Sequence, residues 1–149
     1  MTSAPTTVGS HRPGSKLLAG IMTAFGLFAI ATGSSDVILG SRLLVMIGAD
    51  LGAAVNEPWV DSQLRFLGAI WAGWGVLMIW ACRDLKARGS LFDLLLGFLF
   101  VAACGRTISL ILYPGSPTTL VAFVVLEFVL VGAGLWARRT LFLSRSRAA

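Results

Sequence analysis

Four long apolar stretches, with most of the charge gathered between and beyond them, leave this chain little choice but to cross a membrane as helices. They lie at residues 17–33 (TM1), 61–82 (TM2), 91–113 (TM3) and 117–136 (TM4). Each approaches or exceeds the roughly 17 residues that a helix needs to span the hydrocarbon core. The chain has 149 residues, so one domain is the upper bound. Hydrophobic residues make up 56% of it and charged residues 13%. A soluble protein this small has too little polar surface to cover that much apolar side chain. The expected fold is all-α, an integral membrane four-helix bundle.

The ends and loops are read from local chemistry. Residues 1–15 are rich in Ser, Thr, Pro and Gly and are expected to form a disordered N-terminal tail. The transmembrane domain then covers 16–139, and 140–149 form a basic C-terminal tail. Arg12 and Lys16 ahead of TM1, with small residues near Ala31 to Ser34, also satisfy the pattern of a signal peptide, so two readings of TM1 stay open. Between TM1 and TM2, Asp36, Arg42, Asp50, Glu57 and Asp61 punctuate a mixed segment. A short interfacial helix over about residues 37–47 is expected there. Ser90 is expected to cap TM3, with Asp93 at its N3 position. Ser116 is expected to cap TM4, with Pro117 at the first helical position.

Orientation follows the basic residues. Arg12 and Lys16, then Arg83, Lys86 and Arg88, then Arg138, Arg139, Arg145 and Arg147 fall on one side. The opposite side carries Arg42 with several acids, and the Pro114–Pro117 turn is uncharged. The positive-inside rule then places both termini in the cytoplasm, in the inner (plasma) membrane of a cell. The net charge of +5 is absorbed by these flanks, so nucleic acid is not an expected partner.

Helix packing is written in small residues. Gly20, Ala24, Gly26 and Ala29 in TM1, and Gly68, Ala72 and Gly75 in TM2, suit a close approach of backbones. Trp71 and Trp74 are expected to pack, whereas Trp80 marks an interface.

Two ionisable residues stand inside apolar helices: Arg106 in TM3 and Glu127 in TM4. Each lies about ten residues from the turn near Ser116, which at about 1.5 Å per residue puts both near the middle of the membrane. A charge there costs about 2.5–3.5 kcal/mol even on mild scales, so both are expected to face inward and pair. The pair serves either as a brace for helix register or as a polar pocket, in which Arg106 holds an anionic group or Glu127 exchanges a proton. Ser109 and Thr107 are near enough to add hydrogen bonds, although such hydroxyls more often bond to their own helix. Arg65, one turn inside TM2, is expected to snorkel or to pair with Asp61. Asn56 and Gln63 would line the mouth of the bundle.

Arg65 with Gly68, then Gly105-Arg106 with Ser109, then Pro114-Gly115-Ser116-Pro117, then Glu127, resemble the DUF4345 family of small bacterial four-helix membrane proteins. The resemblance runs from about 56 to 136, with TM1 agreeing in hydrophobicity alone. It implies a four-helix architecture, directs attention to Arg65, Arg106 and Glu127, and carries no reaction with it.

Several chemistries are excluded. The one histidine, His11, falls in the tail, so neither bis-histidine haem nor a Ser-His-Asp triad can form within the membrane. There is no phosphate-binding glycine loop. No metal site, catalytic set or cofactor is expected. Cys82 and Cys104 fall at different depths and do not suit a disulfide. The favoured function is a non-enzymatic ligand-binding or accessory bundle with a polar centre at Arg106 and Glu127. Arg65, Arg106, Glu127 and Ser109 are its candidate ligand-binding residues. Expected partners are membrane lipid and either an amphipathic small molecule or a helical membrane partner. The alternatives are an intramembrane enzyme acting on a lipid or isoprenoid, with Glu127 as acid/base, and a helical subunit of a larger complex.

Overall fold

The computed structural model describes residues 13–140. The chain order is α1 (Pro13–Leu39), α2 (Ser41–Met46), a 3-10 helix (Gly52–Asn56), α3 (Pro58–Cys82), α4 (Gly89–Leu112) and α5 (Thr118–Arg138). Among the described residues there is no strand, and α1, α3, α4 and α5 are each long and apolar enough to cross a membrane. His11, Arg12, Arg145 and Arg147, with most of the two expected tails, lie outside the described residues. The N-terminal tail expected to reach residue 15 gives way to helix at Pro13, since proline suits a first helical turn.

α1 continues well past residue 33, where TM1 was expected to end. The polar residues there do not break it, because their hydroxyls turn back onto the helix. Thr32 Oγ1 donates to Phe28 O at 2.9 Å and Ser35 Oγ to Ala31 O at 2.9 Å. The helix stops at Gly40, whose φ of +57° lies in the region that favours glycine. Residues 37–39, expected to open a separate interfacial helix, therefore belong to α1, and α2 is a single short helix beyond the break.

α1 and α3 form the closest pair. Gly26 faces Gly75 and Gly33 faces Gly68 and Ala72, the pairing of two antiparallel helices. A methyl group on Gly26 would stand 2.9 Å from the Gly75 carbonyl oxygen, and one on Gly33 would stand 2.7 Å from the Ala72 nitrogen. Backbone therefore meets backbone along this seam, as small residues permit. Gly20, by contrast, faces open space. Beside the seam, the Trp71 indole donates to Thr32 Oγ1 at 2.9 Å and stacks on Trp74 with centroids 5.0 Å apart. The ring of Phe25 meets both tryptophans edge-on.

α4 and α5 make the second pair. Phe100 and Phe128 meet edge to face at 5.8 Å. The pairs join where Trp74 Nε1 donates to Leu95 O at 3.0 Å, where Gly134 of α5 gives room to Leu96 and Met22, and where the partly exposed rings of Phe28 and Phe123 meet at 6.3 Å between α1 and α5.

This junction is lopsided. One end of the bundle, here the basic end, carries the start of α1, the Arg83–Arg88 turn and the end of α5. The other, the distal end, carries α2, the 3-10 helix and the Pro114–Pro117 turn. Met22, Met78, Phe92, Leu96 and Leu99, the largest fully buried side chains, all belong to the basic half. On α4 no residue after Ala103 is buried, and on α5 none before Val124. On α3 the one buried residue before Trp74 is Gly68, which faces α1. The shared core thus ends about halfway along the helices.

Two caps differ from expectation. α4 begins at Gly89 with no side-chain cap, and Asp93 pairs across to Arg138 of α5 instead of closing its own helix. Gly89 makes that possible, since a side chain there would occupy the space of the Arg138 guanidinium. Ser116 Oγ donates to Tyr113 O at 2.8 Å, and Pro117 sits at the N-cap of α5, one position earlier than expected. Trp80 is exposed, with the Arg88 guanidinium 4.5 Å over its ring.

Candidate functional site

Arg106 and Glu127 meet across α4 and α5, Nε to Oε1, at 3.2 Å. They do not share one environment. The Glu127 side chain is 5% exposed, whereas that of Arg106 is 44% exposed. Both were expected to face inward, and Glu127 is buried while Arg106 is half-exposed. Leu99 and Ala103 mark the buried face of α4, and Arg106, seven and three residues on, continues the same stripe. It is uncovered because it stands one turn beyond Ala103, the last buried residue of the helix.

Depth is also sharpened. Arg106 is six residues before the end of α4 at Leu112, and Glu127 nine residues after the start of α5 at Thr118. At about 1.5 Å per residue these are depths of about 9 and 14 Å from the distal ends of the helices. The pair therefore stands in the distal half of the bundle, at the level where the shared core gives out beside Ala103 and Val124.

The bonding is incomplete. Glu127 Oε2 is buried and has no hydrogen-bond partner among the described residues. A buried acceptor left bare is costly, about 1–3 kcal/mol, and natural structures rarely tolerate it without a reason. Arg106 engages Glu127 through Nε, so its two Nη groups remain as donors on the exposed side. Thr107 Oγ1 bonds back to Ala103 O at 2.8 Å and contributes nothing to the pair. Ser109 is half-buried one turn further on.

Arg65 belongs to a different cluster. Its Nε donates to Asp61 Oδ2 at 2.7 Å, one turn back on α3. One Nη donates to the carbonyls of Val37 and Ile38 at 2.5 and 3.1 Å, the bare carbonyls at the end of α1. Asp61 Oδ1 in turn accepts the Ser41 backbone N–H at 3.0 Å, at the start of α2. Ser41 Oγ donates to Val55 O at 2.7 Å, beside the 3-10 helix. One ion pair on α3 thus holds the end of α1, the start of α2 and the loop that follows. Gly40 completes the arrangement, because a side chain there would collide with the Asp61 carboxylate.

A cavity of about 400 Å³ opens beside this cluster, with Asp61, Arg65, Arg42 and Asn56 in its wall. Asn56 is thus at the mouth as expected, whereas Gln63 is not in the wall. Neither Arg106 nor Glu127 lines the cavity. Arg65 and the Arg106–Glu127 pair, grouped in sequence as one set of ligand-binding residues, thus stand in two separate places.

Sequence reasoning missed Gly40 and Ser41, and it missed Arg138 as the partner of Asp93. Asp61 and Arg65 four apart were visible, but their cross-helix partners were not. Among the described residues no three His, Cys, Asp or Glu side chains gather as metal ligands would, and Cys82 and Cys104 are both free.

The family described as "Domain of unknown function (DUF4345)" matches residues 17–138, which takes in α1 as well as the region from 56 to 136. No curated protein matches the chain. No solved structure matches it either.

Proposed function

The chain belongs to the DUF4345 family, and from that premise we propose that it is a membrane receptor for an amphipathic molecule rather than an enzyme. The molecule enters from the side, between the distal halves of α3 and α4, since Phe28 and Phe123 meet across α1 and α5. Its anionic head meets the Nη groups of Arg106, and its tail lies along Leu110, four residues after Arg106 on the same face of α4, and Leu120, four residues before Val124 on α5, both partly buried. The carrying observation is that the common core ends at the level where Arg106 and Glu127 stand. Glu127 holds Arg106 in place, and its bare Oε2 suits a guest that also offers a donor, such as a hydroxyl. The bundle sits in a bacterial inner membrane with both termini in the cytoplasm, because Lys16, Arg83, Lys86, Arg88 and Arg138 share the basic end.

The test uses a diazirine-bearing fatty acid. Light should attach it to residues 104–112 or 118–126, and Arg106→Ala should lower the yield at least about fivefold while the protein stays monodisperse. Unchanged labelling in Arg106→Ala would overturn this reading. Wild-type labelling restored by adding Glu127→Gln to Arg106→Ala would make the pair a brace instead.

An accessory role with a helical partner is favoured by one observation, the 44% exposed Arg106 side chain within an apolar span. A partner helix bearing a carboxylate would cover it. The small-residue faces of α1 and α3 favour this less, since Gly26, Gly33, Gly68 and Gly75 are consumed within the chain. Co-purification in mild detergent that is lost in Arg106→Ala would support it. The enzymatic reading, with Glu127 as acid/base on a lipid or isoprenoid, requires a turnover that Glu127→Gln removes without loss of stability.

A further inference from the structure

The cavity beside Arg42 offers a second binding site, independent of Arg106. Charge accounts for what it can hold. Arg65 is engaged by Asp61 on one side and by the Val37 and Ile38 carbonyls on the other. Asp61 is likewise engaged, by Arg65, the Ser41 N–H and Ser41 Oγ. These two charges cancel. Among the described residues in the wall, Arg42 is the cation without an ion pair, and Asn56 adds an amide that both donates and accepts. The other acids of the segment, Asp36, Asp50 and Glu57, are not in the wall, and Asp50 Oδ1 is occupied by the Gly52 N–H at 3.1 Å. The wall is left with an excess of one positive charge.

The surroundings say where this charge sits. Ile38, Met46 and Ile47, on or beside α2, are 72%, 73% and 72% exposed, and Trp59 at the start of α3 is 78% exposed. Exposed apolar side chains with a tryptophan around a polar hollow are what a membrane–water boundary accommodates. Water-facing loops do not expose such a ring without cost.

We propose that this cavity binds a phosphate group, with Arg42 as its principal contact and Asn56 as a second hydrogen-bonding group. A planar guanidinium gives a phosphate two parallel hydrogen bonds, and about 400 Å³ admits a phosphoglycerol-sized group. The phosphate comes either from a lipid headgroup of the adjacent leaflet or from a soluble phosphate ester on that side. The Asp61–Arg65 pair shapes the wall and does not itself bind the anion.

Native mass spectrometry of the full chain from detergent distinguishes the two sources. One arm adds phosphatidylglycerol, with phosphatidylcholine as comparison, and the other adds glycerol 3-phosphate. Phosphatidylglycerol retained at least about fivefold more by the wild type than by Arg42→Ala supports the site with a lipid source. Glycerol 3-phosphate retained in the same Arg42-dependent way supports it with a soluble source. Arg42→Lys should recover part of either signal, as a point charge without the fork. Arg83→Ala, at the opposite end, should change neither. Equal retention of both probes by wild type and Arg42→Ala overturns the proposal, as does retention that depends on Arg106 and not on Arg42. Arg42 makes no contact that holds helices together, so the variant should keep the wild-type melting temperature.

Discussion

Glu127 is buried and Arg106 is half-exposed, although 3.2 Å separates Nε from Oε1. The two charges cannot be exchanged or removed with equal effect. Taking away Arg106 leaves a buried carboxylate with no cation. Taking away Glu127 leaves a guanidinium that can turn outward along its flexible stem. Arg106→Ala should therefore destabilise the bundle more than Glu127→Gln does. The double variant should recover part of the loss, with a coupling of about 1 kcal/mol or more in thermal unfolding in detergent. Equal effects from the two single variants would mean that the carboxylate is not the buried partner in the membrane.

The seam between α1 and α3 gives a sharper contrast. Gly33→Ala forces a methyl against the Gly68 and Ala72 backbone and should cost about 1–3 kcal/mol, as overpacking does. Gly73→Ala, two residues before Gly75 on the open side of α3, meets nothing and should be neutral or stabilising. The two melting curves, compared in one detergent, check it.

At Gly40, an alanine meets two obstacles. A backbone φ of +57° is unfavourable for an L side chain, and the added methyl runs into the Asp61 carboxylate. Gly40→Ala should lower the melting temperature by more than Gly48→Ala, where φ is +94° but nothing stands within 4 Å.

Arg65→Lys should also lower the melting temperature, because an ammonium cannot hold the Asp61 carboxylate and two carbonyls of α1 in one planar fork. Arg42→Lys, outside the network, should leave it unchanged. Proteolysis of the segment between α1 and α3 should quicken in Arg65→Lys alone.

Orientation is checked with single cysteines. In a background with Cys82 and Cys104 replaced, a cysteine at Gly115 should react with an impermeant maleimide in intact cells. One at Ala87 should react only after the membrane is opened. The reverse pattern would invert both the topology and the leaflet that supplies a guest.

The spans were legible because a bilayer imposes length and apolarity on every crossing helix, and the pairing of Arg106 with Glu127 followed from equal distances to a shared turn. What was not legible is instructive. Whether a charge is covered depends on how far along α4 the shared core reaches, and Arg106 stands one turn past Ala103, its last buried residue. Residues 91–113 are so evenly apolar that their pattern does not reveal it. The end of α1 was misjudged because Thr32 and Ser35 look polar in sequence but spend their hydroxyls on their own helix. Asp93 was read as a local cap because its partner, Arg138, is 45 residues away in sequence and adjacent only in space.

The one-sided core has a mechanical sense. With packing concentrated at the basic end, the two helix pairs resemble tweezers fixed at the hinge, and a change in the gap between the tips disturbs few buried contacts. A guest held between them would be recognised at Arg106, near the base of the gap, whereas its tail would lie between blades free to adjust. Such a device is strict about the head of a molecule and permissive about the girth of its chain.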